Sequence, residues 1–237
     1  MADDFDIHSL AQYLHLMPHQ VARLADRGKL PGRKVAGQWR FSRAEIHHWF
    51  EQRIGLADED ELVDVEGVLS RSRNAEEPEQ VILAEMLPVE AIAIPLAART
   101  RNAVFHAMIE LATRTGWLWE PQKMLEAVMA RERIYPTALD NGVALLHPRR
   151  PMPAILGEAF LALGCTTTGI PFGEGLGGLT DVFFLICSVT DRGHLRTLAR
   201  LSRVLAAPGF LQALREVRSP QEAHRLIAET EKSLSRP

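Results

Sequence analysis

Cysteine is nearly absent from this chain. The 237 residues hold two, Cys165 and Cys187. The first residues, Met1-Ala2-Asp3-Asp4-Phe5-Asp6, are acidic and lack the apolar core of an export signal. The two cysteines are therefore expected to be free, buried thiols rather than a bridge, and the location cytoplasmic. Long apolar runs are missing too. Stretches such as Val182 to Cys187 are far too short to span a bilayer, so no membrane partner is expected. No charge of one sign dominates: the formal net charge is −3, which gives no global field toward nucleic acid or membrane. No internal repeat and no catalytic triad is apparent. Five histidines crowd the first 53 residues (His8, His15, His19, His47, His48), but the adjacent His47 and His48 diverge on a helix and Pro18 separates His15 from His19. Neither a metal site nor a cofactor is expected from that spacing. Gly173-Glu174-Gly175-Leu176-Gly177-Gly178 precedes a strand instead of opening a helix, so it reads as a flexible loop and not as a nucleotide cradle.

What is present is an ordinary globular composition, 46% hydrophobic and 24% charged, long enough for one large or two modest domains. The small net charge hides a pattern. Residues 1–53 carry +2, residues 54–80 carry −7 and residues 81–237 carry +2. The acidic middle, Ala57-Asp58-Glu59-Asp60-Glu61 through Glu76-Glu77-Pro78-Glu79, marks a linker or an exposed helix. The expected organisation is a small domain over 1–54, an acidic linker over 55–80 and a larger domain over 81–237.

In the first part, Ile7, Leu10, Ala11 and Leu14 form one face of a short helix. Pro18 fits the first position of a second helix whose inward face is Val21, Leu24 and Ala25, and Gly28 stops it. Arg33-Lys34-Val35-Ala36-Gly37-Gln38-Trp39-Arg40-Phe41 reads as two short strands around a Gly37 turn. Ser42-Arg43-Ala44-Glu45 is a capping box that opens a third helix, with Ile46, Trp49 and Phe50 inward. Over nearly all of residues 5–53 this pattern resembles the excisionase/MerR-like winged helix-turn-helix family. The resemblance implies DNA as a partner, with the second helix in the major groove and the wing on the backbone or minor groove. His19, Gln20 and Arg23 would be the exposed side chains of that helix, and Gln and Arg suit base edges. Arg33, Lys34 and Arg40 would meet phosphates. A module carrying only +2 is a weak electrostatic anchor, so tight binding calls for a second copy, as in a homodimer.

The larger part centres on Asn141-Gly142-Val143-Ala144-Leu145-Leu146-His147-Pro148-Arg149, a small-residue turn, an apolar run and a histidine backed by cations. An accessible imidazole there can take up a phosphoryl group covalently, with Arg149 and Arg150 offsetting its charge. The same pattern also fits an apolar strand ending in a surface histidine. Around it, Glu90 to Ile94 reads as a strand, Arg101 to Thr115 as a helix with Val104, Met108, Leu111 and Ala112 inward, and Pro121 opens a helix running into Arg131-Glu132-Arg133. Ala159 to Leu163 and Asp181 to Ser188 are strand-like, the latter apolar enough to be central. His194 to Leu205 is an amphipathic helix, and Ser219-Pro220-Gln221-Glu222 caps the last one. Alternating strands and helices predict an α/β fold.

From Leu125-Glu126-Ala127-Val128-Met129-Ala130-Arg131-Glu132 through Thr137 to Asn141–His147, with the Asp181 strand and His194-Leu195 downstream, residues 85–234 look like the IIA domain of the bacterial phosphotransferase system, in its fructose/mannitol/nitrogen-regulatory class. That resemblance implies a mixed sheet flanked by helices. It implies that His147 is phosphorylated by an HPr-type phosphocarrier protein, that His194 assists, and that Arg131, Thr137 and Asn141, with Arg149, shape the phosphate pocket. The chain departs from the family's pattern at Leu146, where the family has proline, at Pro148, which removes a backbone N–H beside the histidine, and at Asp140, where the family has glycine. No membrane-spanning transport segment accompanies the domain. The expectation is a phosphorylation-responsive regulator acting on DNA or on a protein target; a regulator whose IIA-like part only docks or dimerises is the alternative.

Overall fold

The computed structural model describes residues 4–14, 17–42, 45, 46, 49, 81–134, 136–172 and 178–234. The chain divides into two compact units, residues 1–80 and the bulk of residues 81–237. The expected acidic linker and most of the expected third helix lie outside the described residues, as does the core of the glycine-rich loop.

In the first unit, β1 (Asp4–Phe5) leads into α1 (Ile7–Leu14). Asp6 caps α1: its Oδ1 accepts from Ser9 N at 2.7 Å while its own N–H donates to Ser9 Oγ at 2.9 Å. Those bonds hold the Asp6 carboxyl below its usual range. α2 (Pro18–Asp26) begins with proline at its first position, and the Gln20 side chain reaches back to Met17 N at 2.8 Å. It ends at Gly28 (φ +67°), where Lys29 N bonds to Leu24 O and Gly28 N to Ala25 O, the paired closure that satisfies the last carbonyls. β2 (Arg33–Val35) and β3 (Gln38–Ser42) form the wing, turning through Ala36 and Gly37, both at positive φ. β1 adds a third strand to this sheet through Phe5 opposite Phe41, a pairing too short to leave a periodic trace in the sequence. Leu10, Ala11, Val21, Ala25, Leu30, Phe41 and Ile46 make the small core.

The second unit is a four-stranded mixed sheet in the order β4-β6-β7-β5: β4 (Ile92–Ala93), β5 (Val143–Leu146), β6 (Phe160–Pro171) and β7 (Leu179–Cys187). β4 runs parallel to β6 and β5 parallel to β7, while β6 and β7 are antiparallel. β7, with Val182 to Cys187 all buried, is central as expected. The expected strand at Glu90–Ile94 is shorter: a 3-10 turn takes Val89–Ala91. The expected strand at Ala159–Leu163 runs on to Pro171, past the stretch that is apolar, because β7 pairs with it around an irregularity between Cys165 and Ile170.

Among the described residues of this unit, three helices precede β5: the short α3 (Leu83–Met86), α4 (Arg101–Thr113) and α5 (Pro121–Ile134). Three follow β7: α6 (Asp191–Ala206), α7 (Phe210–Glu216) and α8 (Pro220–Leu234). Val104, Phe105, Met108, Leu111 and Ala112 of α4 and Met124, Leu125 and Val128 of α5 pack with Ala144, Leu146, Phe160, Ala162, Phe183, Leu185 and Cys187, alternate residues of one sheet face. On α8, Glu231 accepts from Leu83 N and Ala84 N, both at 2.9 Å, and so supplies the acceptors that the start of α3 needs. Glu222 N bonds to Ser219 Oγ as the capping box predicts, although Glu222 reaches back to Arg218 N.

One turn feeds β5. Gly142 sits at φ +85°, and a Cβ there would lie 2.7 Å from the Arg215 guanidinium. That group grips both Asp181 oxygens at 2.8 and 2.9 Å and the Asn141 carbonyl at 2.8 Å. Gly142→Ala is expected to cost about 2 kcal/mol, from the left-handed backbone and the displaced arginine. Scanning calorimetry should show the melting temperature lowered by about 5 °C.

Candidate phosphoryl-transfer site

The site forms where β5 and β7 end together. Their parallel pairing sets Leu146 beside Leu185, so the residues after both strands emerge at one end of the sheet. Side chains alternate along β5: Ala144 and Leu146 join the α4–α5 core, so the next position, His147, falls with Leu145 on the opposite face. β7 leads through Ser188 and Val189 to Thr190, the N-cap of α6, whose hydroxyl accepts from Gly193 N at 3.0 Å. His194 stands in the first turn of that helix. The His147 and His194 rings meet there, centroids 4.9 Å apart and planes inclined by 53°.

Each ring is fixed by its Nδ1. His147 Nδ1 lies 2.8 Å from Leu145 O, and a carbonyl only accepts, so Nδ1 carries the proton and Nε2 keeps its lone pair. His194 Nδ1 lies 3.1 Å from Ser188 Oγ. The accessible imidazole expected from the sequence is corrected: both rings are 3% exposed. Alternation aims His147 inward onto its sister ring, where a surface histidine would point out.

Thr137 is brought to the same region, though through its backbone. Residues 137–139 run antiparallel to β5, with Leu145 N donating to Thr137 O and Leu139 N to Val143 O. The Thr137 hydroxyl donates to Glu132 Oε2 at 2.6 Å, and Thr137 N donates to both Glu132 oxygens at 3.2 Å. Glu132 is 2% exposed. Burial raises its pKa, opposed by the Thr137 bonds and by Arg101 and Arg131. Arg101 also bridges to it, 3.4 Å away. Sequence reasoning assigned Glu132 no role; its only signal was a carboxylate beside the buried Arg131 at the end of an amphipathic helix.

Asn141, expected in the phosphate pocket, is not brought there. It sits in the turn before β5 while His147 follows that strand, so the four residues of β5 lie between them. Its side chain instead accepts from Val143 N at 3.3 Å and steadies the turn. Arg131 is buried in the last turn of α5, and Arg149 is exposed just past the site. Both cysteines are free and buried. Burial pushes the Cys165 thiol up to about 12 and raises Cys187 further, so neither is a nucleophile at neutral pH. Among the described residues no group of three or more His, Cys, Asp or Glu is arranged to hold a metal, and no helix is long and apolar enough to cross a membrane.

In the first unit, His19, Gln20 and Arg23 are exposed on α2, opposite Val21 and Ala25. Gln20 accepts from Met17 N at its side-chain carbonyl, which orients the amide and leaves its NH2 as a donor. Arg33 and Lys34 are exposed but occupied, Arg33 by Asp4 at 3.1 Å and Lys34 by Asp26 at 3.5 Å. Surface pairs of this kind are worth at most about 1 kcal/mol and yield to a phosphate. Arg40, half-buried, stands opposite Arg33 across the wing.

A mixed sheet that ends in a histidine pair beside a helix N-terminus, accompanied by a helix-turn-helix module, defines the class of the molecule. The family model described as "Phosphoenolpyruvate-dependent sugar phosphotransferase system, EIIA 2" matches residues 85–230, and the model "Helix-turn-helix domain" matches residues 6–54. The chain belongs to the EIIA type 2 family and carries an N-terminal helix-turn-helix domain. It is similar to the Nitrogen regulatory protein of Bradyrhizobium diazoefficiens, 28% identical over 62% of this chain and 94% of that one, and to that of Escherichia coli, 25% identical over 63% and 91%. The fold is shared with the nitrogen regulatory protein IIA-Ntr of Neisseria meningitidis (TM-score 0.55, 21% identity, 62% of this chain and 99% of that one) and with IIA mannitol of Escherichia coli (TM-score 0.54, 20% identity, 60% and 98%).

Because the Glu132 pKa is raised on folding, its contribution to stability is largest at low pH and is lost as pH climbs through the folded value. The unfolding free energy of the wild type, measured against Glu132→Gln by urea titration, is expected to fall as pH rises above the ordinary glutamate range. A rising or flat difference contradicts this.

Proposed function

We propose that the chain is a phosphoryl-accepting regulator in which His147 receives a phosphoryl group from an HPr-type phosphohistidine carrier and the helix-turn-helix module binds DNA. Residues 1–54 are the DNA-binding part, 55–80 an acidic connector and 81–237 the phosphoryl-accepting part. The observation that carries this reading is the His147–His194 pair, with His147 Nδ1 tied to Leu145 O. The transfer balances without proton movement. The lone pair of His147 Nε2 forms the new N–P bond, the donor's N–P bond breaks, and the donor nitrogen keeps that electron pair. The N-terminal turn of α6 adds partial positive charge beside the incoming anion. Phosphorylation brings close to two negative charges into a buried setting, enough to change a partner contact and so the occupancy of DNA or of a protein target. The named nitrogen regulatory relatives favour a regulatory over a transport role.

Incubation with the general phosphotransferase proteins and labelled phosphoenolpyruvate is expected to label the wild type and leave His147→Ala unlabelled. An unlabelled wild type sinks the carrier reading. The burial of His147 and the missing N–H at Pro148 favour a second reading, a DNA-binding regulator whose IIA part docks without phosphoryl transfer. Under both readings Arg23→Ala is expected to weaken DNA binding about tenfold or more in a fluorescence titration, and Lys34→Ala to lower the salt slope by about 1. Binding indifferent to both substitutions removes DNA as the partner.

A further inference from the structure

Ser188, which the reading of the sequence passed over, touches both halves of the site. It is 2% exposed and follows the last residue of β7. Its carbonyl accepts from Met152 N at 3.1 Å, which pins the loop that leaves His147. Its hydroxyl meets His194 Nδ1 at 3.1 Å. A hydroxyl either donates or accepts, so it is compatible with both neutral tautomers of His194. The choice follows from the other ring. His147 already presents an Nε2 lone pair because Leu145 O fixes its proton on Nδ1. The Nε2 atoms of both rings are buried, on the ring edges opposite their Nδ1 bonds. Were Ser188 to accept from Nδ1, the site would hold two lone pairs and repel the oxygens of an anion.

We propose that Ser188 is a positioning residue that donates its hydroxyl proton to His194 Nδ1, holding the proton of His194 on Nε2. The two histidines are then complementary: His147 Nε2 is the nucleophile, and His194 Nε2–H donates to an oxygen of the phosphoryl group as it arrives. This rests on the phosphoryl-accepting reading. It gives the assisting histidine a defined proton, and a donor already aimed before the group arrives is the arrangement that lowers a transition state most.

The test is a long-range 1H–15N correlation spectrum of the full chain with labelled histidine, run beside the phosphorylation assay. In the wild type, His147 should show its proton on Nδ1 and His194 on Nε2. Ser188→Ala should leave the His147 pattern intact, turn His194 into a mixture of tautomers and slow phosphoryl uptake about tenfold. Ser188→Thr, which keeps the hydroxyl, should restore both. A wild-type His194 with its proton on Nδ1, or a Ser188→Ala spectrum identical to the wild type, overturns the proposal. A wild type with the expected tautomers that takes up no label overturns the phosphoryl reading instead, and leaves the role of Ser188 in setting the tautomer standing.

Discussion

The parallel pairing of β5 with β7 is the constraint on which the site depends. It makes both strands finish at the same end, and three residues after β7 the chain is already capping α6. A histidine that leaves β5 and a histidine in the first turn of α6 are then brought to one place although 46 residues of chain separate them. A slip of one residue in that register would turn His147 to the other face, among the leucines and phenylalanines packed under α4 and α5. The turn at Asn141–Gly142, clamped by Arg215 and Asp181, holds the register from the opposite end.

The polar groups described at the site are deeply buried, which makes their partners decisive. A buried donor or acceptor left without a partner costs about 1–3 kcal/mol, so each bond fixes geometry as well as contributing stability. Leu145 O orients one ring, Ser188 Oγ the other, and the Glu132 carboxylate holds the strand-like segment that flanks β5. In the first unit the opposite regime holds. Cations there rest on surface carboxylates in pairs that water screens, and they are released at little cost.

Much of this was legible in the sequence, for identifiable reasons. The helical stripes of α4 and α5, the apolar β7, the glycine stop of α2 and the Gly37 turn all write their periodicity or their backbone demands directly into residue types. His147 and His194 drew attention because each is an imidazole at an element boundary within a recognisable motif, and the fold brings the two rings together. Asn141 stands at the other end of β5 from His147 because the motif, contiguous in sequence, runs the length of that strand. β1 was missed because two residues carry no period. Glu132 and Ser188 were missed because their roles lie in what they bond across the fold, and a local pattern does not contain that.

If His147 takes up a phosphoryl group as proposed, its 3% exposure has a kinetic consequence. A donor's phosphorus could not approach a nitrogen so enclosed, so an opening of the surroundings would have to come before the productive encounter. The observed rate would then level off at high donor concentration, limited by how often the ring is uncovered. The apparent affinity for the donor would be diluted by the fraction of molecules in the open form. Under the proposed phosphoryl uptake, a chain built in this way would answer slowly to the phosphorylation state of its carriers and average over their brief fluctuations.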